Sequence, residues 1–167
     1  MKLFLIGMMG SGKSHWCKLL SNELAYEAYD LDAIIETQAG KTIADIFASE
    51  GEAYFRSEEA RLLREFDSKN RFLLATGGGT PCFYDNMEWM NANGTTIWID
   101  ETVEVLVERL KLEKEHRPLI KPLTDEALND FIFKKLEERK EVYAQSSIHL
   151  QGEDINLQRI VQLVNAR

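Results

Sequence analysis

Short apolar runs along the chain alternate with longer segments in which apolar residues return every three or four positions. Leu3–Ile6 reads as a short buried strand, and Lys13–Leu24 places Trp16, Leu19, Leu20 and Leu24 at helical spacing. Glu27–Tyr29 is a weaker second strand. Helical patterns then cover Asp32–Gln38, Ile43–Ser49 and Glu52–Asp67, separated by Gly40 and Gly51. Arg71–Thr76 is the next strand and is stopped by Gly77-Gly78-Gly79. Thr95–Ile99 is another, followed by a helix from Thr102 to about Lys111. A long helix from about Asp125 to Ala144, a short strand at Ser147–Leu150 and an amphipathic helix at Ile155–Val164 complete the chain. Between them, Glu113–Leu123 is densely charged and holds Pro118 and Pro122, which marks it as the candidate mobile loop.

Such alternation implies an α/β fold, with a parallel sheet of about five strands and helices on both faces, because parallel neighbours need crossover helices. Ligands in these sheets sit at the carboxyl ends of the strands, so the exits at Gly7, Asp30 and Gly77 are expected to face one site. The 167 residues suit a single domain spanning 1–167 with a real core, and a 44% hydrophobic content excludes disordered and collagen-like classes. A net charge of −8 disfavours a nucleic-acid partner. Cys17 and Cys82 have no companions, and His15, His116 and His149 are scattered, so neither a disulfide framework nor a zinc site is expected. Leu3–Ile6 superficially suggests a signal peptide but is soon broken by Gly10-Ser11-Gly12-Lys13. No apolar stretch reaches membrane-spanning length, so a soluble, cytoplasmic protein with no membrane partner is expected.

Gly7-Met8-Met9-Gly10-Ser11-Gly12-Lys13-Ser14 matches the full G-x-x-x-x-G-K-S phosphate-binding loop, between an expected strand and an expected helix. Glycines let backbone N–H groups converge on phosphate oxygens, and the helix adds its positive end. Lys13 would reach the β- and γ-phosphates, and the Ser14 hydroxyl would ligate Mg²⁺. The motif marks a binder of nucleoside triphosphates but does not name the reaction. There is no Asn-Lys-x-Asp guanine-reading motif, and no Asp follows the apolar Leu73-Leu74-Ala75-Thr76 strand. Asp30 and Asp32 are the carboxylates available near a metal.

Two helices carry charges on their apolar stripes. At about 100° per residue, Leu128, Phe131, Ile132, Leu136, Val142 and Tyr143 share one face, and Arg139 falls near its centre. Either it contacts an anion there, or it pairs internally or snorkels outward. In the helix after Gly51, Glu59 lies within the stripe of Phe55, Leu62, Leu63 and Phe66, with Arg56 at its shoulder. As an exposed pair they would add only about 0.2–0.5 kcal/mol. Partly buried, Glu59 would instead hold Arg56 in a fixed pose for a polyhydroxylated or anionic substrate. Spacing leaves both readings open.

Together these residues resemble the shikimate kinase family over nearly the whole chain. The resemblance rests on the P-loop, Asp30-Leu31-Asp32, Ile43-Ala44-Asp45-Ile46-Phe47, Phe55-Arg56-Ser57-Glu58-Glu59, Gly77-Gly78-Gly79 and Arg117-Pro118-Leu119. It implies a P-loop, nucleoside-monophosphate-kinase-like fold, with substrate-binding helices at about 32–69 and a lid at about 112–124. It further implies that Gly10, Ser11, Gly12, Lys13, Ser14 and His15 wrap the ATP phosphates, with Ser14 on Mg²⁺ and Asp30 near the metal through water. Asp32 would bind the shikimate hydroxyls beside the one phosphorylated. Arg56, supported by Glu59, and Arg139 would clamp the shikimate carboxylate, with Gly77, Gly78 and Gly79 against the acceptor. Arg117 would swing in with the lid onto the transferring phosphate, and Arg109 would stack on adenine. The chain departs from the family in having His15 where Thr is common and Lys140-Glu141-Val142-Tyr143 after Arg139 where Pro-Leu-Tyr is usual. The implied reaction is phosphorylation of shikimate by ATP, with Lys13, Asp32 and Arg117 as catalytic residues and a monomer as the working unit. The alternatives are a P-loop kinase for another small acceptor, such as gluconate or a nucleoside monophosphate, and a regulatory nucleotide-binding module without catalysis.

Overall fold

The computed structural model describes residues 1–167. Five short strands, β1 (Lys2–Ile6), β2 (Glu27–Asp30), β3 (Phe72–Ala75), β4 (Thr95–Asp100) and β5 (Ile148–Gln151), form one sheet in the order β2-β3-β1-β4-β5. Every neighbouring pair is parallel, with Leu3 opposite Leu73 on one side of β1 and opposite Thr95 on the other. The central strands are apolar on both faces because helices cover both. Leu3 and Leu5 point to one layer together with Leu73, Ile97 and Ile99; Phe4 and Ile6 point to the other together with Leu74 and Trp98.

The first layer holds α1 (Lys13–Leu24) and α8 (Leu157–Asn165), through Cys17, Leu20, Ile160 and Val164. The second is larger and holds α2 (Leu31–Ala39), α3 (Ile43–Glu50), α4 (Glu52–Glu65), α5 (Asn86–Asn93), α6 (Val103–Glu113) and α7 (Asp125–Tyr143). Most helix starts carry their own signal. Asp30, Thr42, Thr102, Thr124 and Asn156 accept a backbone N–H from the residue three positions on, at the heads of α2, α3, α6, α7 and α8. Gly40 and Gly51 end α2 and α3, as their spacing in the sequence suggests.

The expected elements recur within a few residues, with one exception. Helix α5 has no counterpart in the hydropathy pattern, since Met87 and Met90 are its buried apolar residues among three asparagines. It forms because those methionines fill the second layer beside Phe4 and Trp89. The helix expected to run to Asp67 gives way after Glu65 to a 3₁₀ turn, Phe66–Ser68. The charged, proline-containing stretch after α6 is pinned at one point: Ile120 is fully buried in the second layer, while Leu119 beside it is exposed. No helix is long and apolar enough to cross a membrane.

Helix α1 leaves β1 on one face of the sheet, and the segment after β3 leaves on the other. The adjacent ends of β1 and β3 therefore open a crevice between their connections, where α/β sheets bind ligands. The end of β2 lies just beyond.

Candidate active site

The loop between β1 and α1 wraps the crevice. Gly10 (φ +80°) and Gly12 (φ +92°) adopt left-handed backbone that side chains rarely tolerate, which lets the loop coil tightly before α1 begins. Lys13 folds back over it, its Nζ donating to the carbonyls of Gly7 and Met8 at 2.8 Å each. Burial lowers its pKa to about 8, against an opposing pull from the Asp32 carboxylate. Ser14 Oγ donates to Asp30 Oδ2 at 2.7 Å. Asp30 therefore joins the α2 cap to the head of α1, through one oxygen each. Ser11, His15 and Trp16 lie nearby: Ser11 Oγ is buried without a hydrogen-bond partner, and the exposed His15 ring meets Trp16 edge-on at 5.4 Å.

Lys13, Ser14, His15, Asp30, Asp32 and Arg117 all line one cleft of about 560 Å³, with Arg109, Gly77 and Gly78 on its walls. Arg109 spans from Glu101 (2.9 Å) to the Gly10 carbonyl (3.1 Å) and so rests against the phosphate loop. Arg117 is turned onto Glu113, with Nη2 and Nε each 2.7 Å from the same carboxylate oxygen.

The three glycines after β3 form the other wall, and each is faced by a charged group. A Cβ on Gly77 would lie 2.9 Å from Asp32 Oδ1, and one on Gly78 would lie 2.9 Å from Arg139 Nη1. One on Gly79 would sit 2.5 Å from Arg56 Nη2. Absence of side chains here lets Asp32, Arg139 and Arg56 close on one stretch of backbone. The pKa of Asp32 is raised to about 6, chiefly by burial and then by the Asp30 and Glu59 carboxylates.

Arg56 and Glu59 are both buried, and Glu59 has no solvent exposure. They pair at 2.9 Å, and the second Glu59 oxygen accepts from Thr80 Oγ1 at 2.7 Å. The Arg56 guanidinium also lies over the Phe83 ring at 4.3 Å and near Phe55 at 5.1 Å. The reading of this pair as a solvent-exposed helix pair is therefore excluded. Arg139 differs. It is half-buried, makes no ion pair, and its Nη1 lies 4.0 Å from the Met8 thioether. One turn further along α7, the fully buried Tyr143 hydroxyl donates to the Gly78 carbonyl and approaches Met8 Sδ at 3.7 Å. Desolvation pushes its pKa upward, so it stays a neutral donor.

The structure thus brings the phosphate loop, Asp30, Asp32, Gly77 and Gly78 to one cleft, with Arg56, Glu59 and Arg139 facing the glycine segment from outside it. Sequence reasoning missed Thr80, Phe83, Met8 and Glu113. Thr80 and Phe83 follow the glycines in a stretch with no readable period. Tyr143 was visible as a stripe residue four positions after Arg139, but not as the group tying α7 to Gly78.

A divalent cation fits here by the chemistry of its donors: Ser14 and Asp30 offer hard oxygens beside the phosphate loop.

Known proteins share this sequence pattern and fold. The sequence profile described as shikimate kinase matches residues 9–166. The shikimate kinase of Azobacteroides pseudotrichonymphae is 45% identical over 148 residues, covering 88% of this chain and 87% of that one. The crystal structure of shikimate kinase from Bacteroides thetaiotaomicron superposes with a TM-score of 0.85 at 35% identity, over 99% of this chain and 95% of that one. Shikimate kinase from Acinetobacter baumannii, solved in complex with shikimate, superposes with a TM-score of 0.87 at 29% identity, over 99% and 93%. A P-loop beside a glycine wall backed by two arginines, on a sheet that these enzymes share over almost their full length, leaves one assignment: the chain belongs to the shikimate kinase family.

Proposed function

We propose that the chain transfers the γ-phosphoryl of ATP to the 3-hydroxyl of shikimate, giving shikimate 3-phosphate and ADP on the route to aromatic amino acids. One observation carries this reading. The triple glycine is faced by a carboxylate, Asp32, at Gly77 and by two arginines, Arg139 at Gly78 and Arg56 at Gly79. An acceptor with a hydroxyl at one end and a carboxylate at the other matches that polarity. Arg139 has no protein counter-ion, so a substrate carboxylate would supply one, while Arg56 is already aimed by Glu59.

Phosphoryl transfer needs alignment and neutralised charge more than covalent help. Gly10, Ser11, Gly12, Lys13, Ser14 and His15 would hold the ATP phosphates. Lys13 would exchange its two carbonyl partners for phosphate oxygens, which stabilise its ammonium form against burial. Mg²⁺ held by Ser14, with Asp30 through water, would neutralise charge on the β- and γ-phosphates. Asp32, with its pKa raised to about 6, is mostly ionised at neutral pH and placed to orient the acceptor hydroxyl and accept its proton. Arg117 would leave Glu113 as residues 112–124 close, and would meet the transferring phosphoryl group. The exposure of that pair, 40% and 47%, supports an easily broken contact. Arg109 would pack on adenine. Residues 32–69 would form the acceptor side of a single kinase domain. The working unit in this reading is a monomer.

The test is ADP release from Mg-ATP in a coupled assay with shikimate, gluconate or CMP as acceptor. A rate that depends on shikimate alone is expected. Turnover that follows gluconate or CMP would overturn the acceptor assignment, and ATP binding with no turnover would point to a regulatory module.

A further inference from the structure

Arg56 is held from behind by a continuous chain of polar groups that phosphoryl transfer does not itself require. Arg64 Nη1 donates to Asn86 Oδ1 at 2.6 Å, and Asn86 Nδ2 donates to the Thr80 carbonyl at 2.8 Å. Thr80 Oγ1 donates to Glu59 Oε2 at 2.7 Å, and Glu59 Oε1 accepts from Arg56 Nη1 at 2.9 Å. The three middle members, Asn86, Thr80 and Glu59, have no solvent exposure. The chain leaves α4 at Arg64, crosses the head of α5 and the turn after the glycines, and returns to α4 at Glu59.

Its far end also fixes an unusual stretch of backbone. Tyr84 (φ +49°) and Asp85 (φ +54°) are consecutive left-handed residues without glycine, a conformation kept only where surroundings impose it. Arg64 straddles them, with Nη2 donating to the Tyr84 carbonyl at 2.8 Å while Nη1 holds Asn86. Its guanidinium lies over Trp89 at 4.9 Å, which sets the plane of the fork. Phe83, just before the strained pair, is the ring over Arg56. The segment that carries Thr80 and Phe83 is thus clamped at its end by Arg64.

A buried carboxylate with one unpaired oxygen is costly and would turn to find another donor. Arg56 has a competing partner in Glu52, 3.4 Å from its Nε. The Thr80 hydroxyl satisfies the second Glu59 oxygen and so decides where Glu59 stands, and Glu59 decides which way Arg56 points. We propose that Thr80, backed by Asn86 and Arg64, is a positioning residue that aims Arg56 at the acceptor carboxylate. This deepens the proposed function and rests on its reading of Arg56.

The experiment compares Thr80→Val, which keeps the shape and removes the hydroxyl, with Thr80→Ser, which restores it. Thr80→Val is expected to raise KM for shikimate about tenfold with KM for ATP within about twofold of the parent. Thr80→Ser returns shikimate KM to near the parent value. In an Arg56→Lys background, which cannot reproduce the forked contact, Thr80→Val is expected to add less than about threefold, because both act through one group. Equal increases in both KM values, or full additivity with Arg56→Lys, would overturn the proposal. An unchanged shikimate KM in Arg56→Lys alone would instead sink the assignment of Arg56. Should Thr80→Val fail to fold by circular dichroism, the half-buried Arg64→Met serves in its place. It is expected to raise shikimate KM about two- to threefold through the loosened clamp, and no change in a folded Arg64→Met protein would also overturn the proposal.

Discussion

The Arg56 guanidinium fills the space that a side chain at residue 79 would need: a Cβ on Gly79 would stand 2.5 Å from Nη2 and 2.8 Å from Cζ. The obstacle is the far end of a side chain, so the fold has room to survive the substitution while Arg56 does not keep its place. Gly79→Ala is expected to raise KM for shikimate at least about tenfold, with ATP binding retained. Titrating each ligand separately checks it, and parallel loss of both would show that the glycine serves the loop and not Arg56.

Asp32 ties activity to pH. Its carboxyl titrates at about 6 in the folded protein, against 3.8 as its ordinary value. In its proposed role of orienting and deprotonating the acceptor it must be ionised, so kcat/KM for shikimate is expected to rise through about pH 6 and level off above it. A profile flat from pH 5 to 7 would remove Asp32 from that role.

The same shift carries a stability cost of known sign. Between its ordinary value and about 6, the folded state binds more protons than the unfolded one, so stability falls as pH rises across that window and stays reduced above it. Asp32→Asn is therefore expected to stabilise the protein at pH 7, by about 2 kcal/mol, while lowering kcat by at least about a hundredfold. Denaturant unfolding beside the coupled assay reads both, and a destabilised variant would contradict the burial argument.

Lys13 sets the alkaline side. Burial lowers its pKa to about 8 in the free protein, so kcat/KM for ATP is expected to fall above that pH. Bound polyphosphate stabilises the ammonium, so the fall in kcat at saturating ATP should lie at higher pH. Coincident limbs for kcat and kcat/KM would argue that Lys13 does not meet the phosphates.

Tyr143→Phe removes the donor to the Gly78 carbonyl and leaves that part-buried acceptor without it. The expected cost is about 1–3 kcal/mol of stability, with a larger rise in shikimate KM than in ATP KM, because Arg139 sits on the same helix one turn away. Thermal unfolding and the two KM values together check this.

Much of the phosphate side was legible in one dimension. A P-loop is a contiguous string whose glycines, Lys13 and Ser14 act through local backbone geometry, and the strand before it and helix after it have strong periods of their own. The β-α alternation, the parallel sheet and the caps at Asp30, Thr42 and Thr124 are likewise local signals. Family likeness supplied residues that spacing alone left undecided, such as Arg56 and Arg139. Tertiary structure decided the remainder, for reasons of distance along the chain. Strand order follows from which faces the crossover helices bury. Whether Arg56–Glu59 was a solvated pair or a locked one depended on Thr80 and Phe83, more than twenty residues away and in a stretch without period. Helix α5 exists because Met87 and Met90 fill a layer against Phe4, which no local pattern encodes. That Arg139 alone of the two arginines facing the glycine wall lacks a counter-ion is visible only once α7 lies across that wall, because an ion pair is a property of two surfaces brought together and not of either sequence.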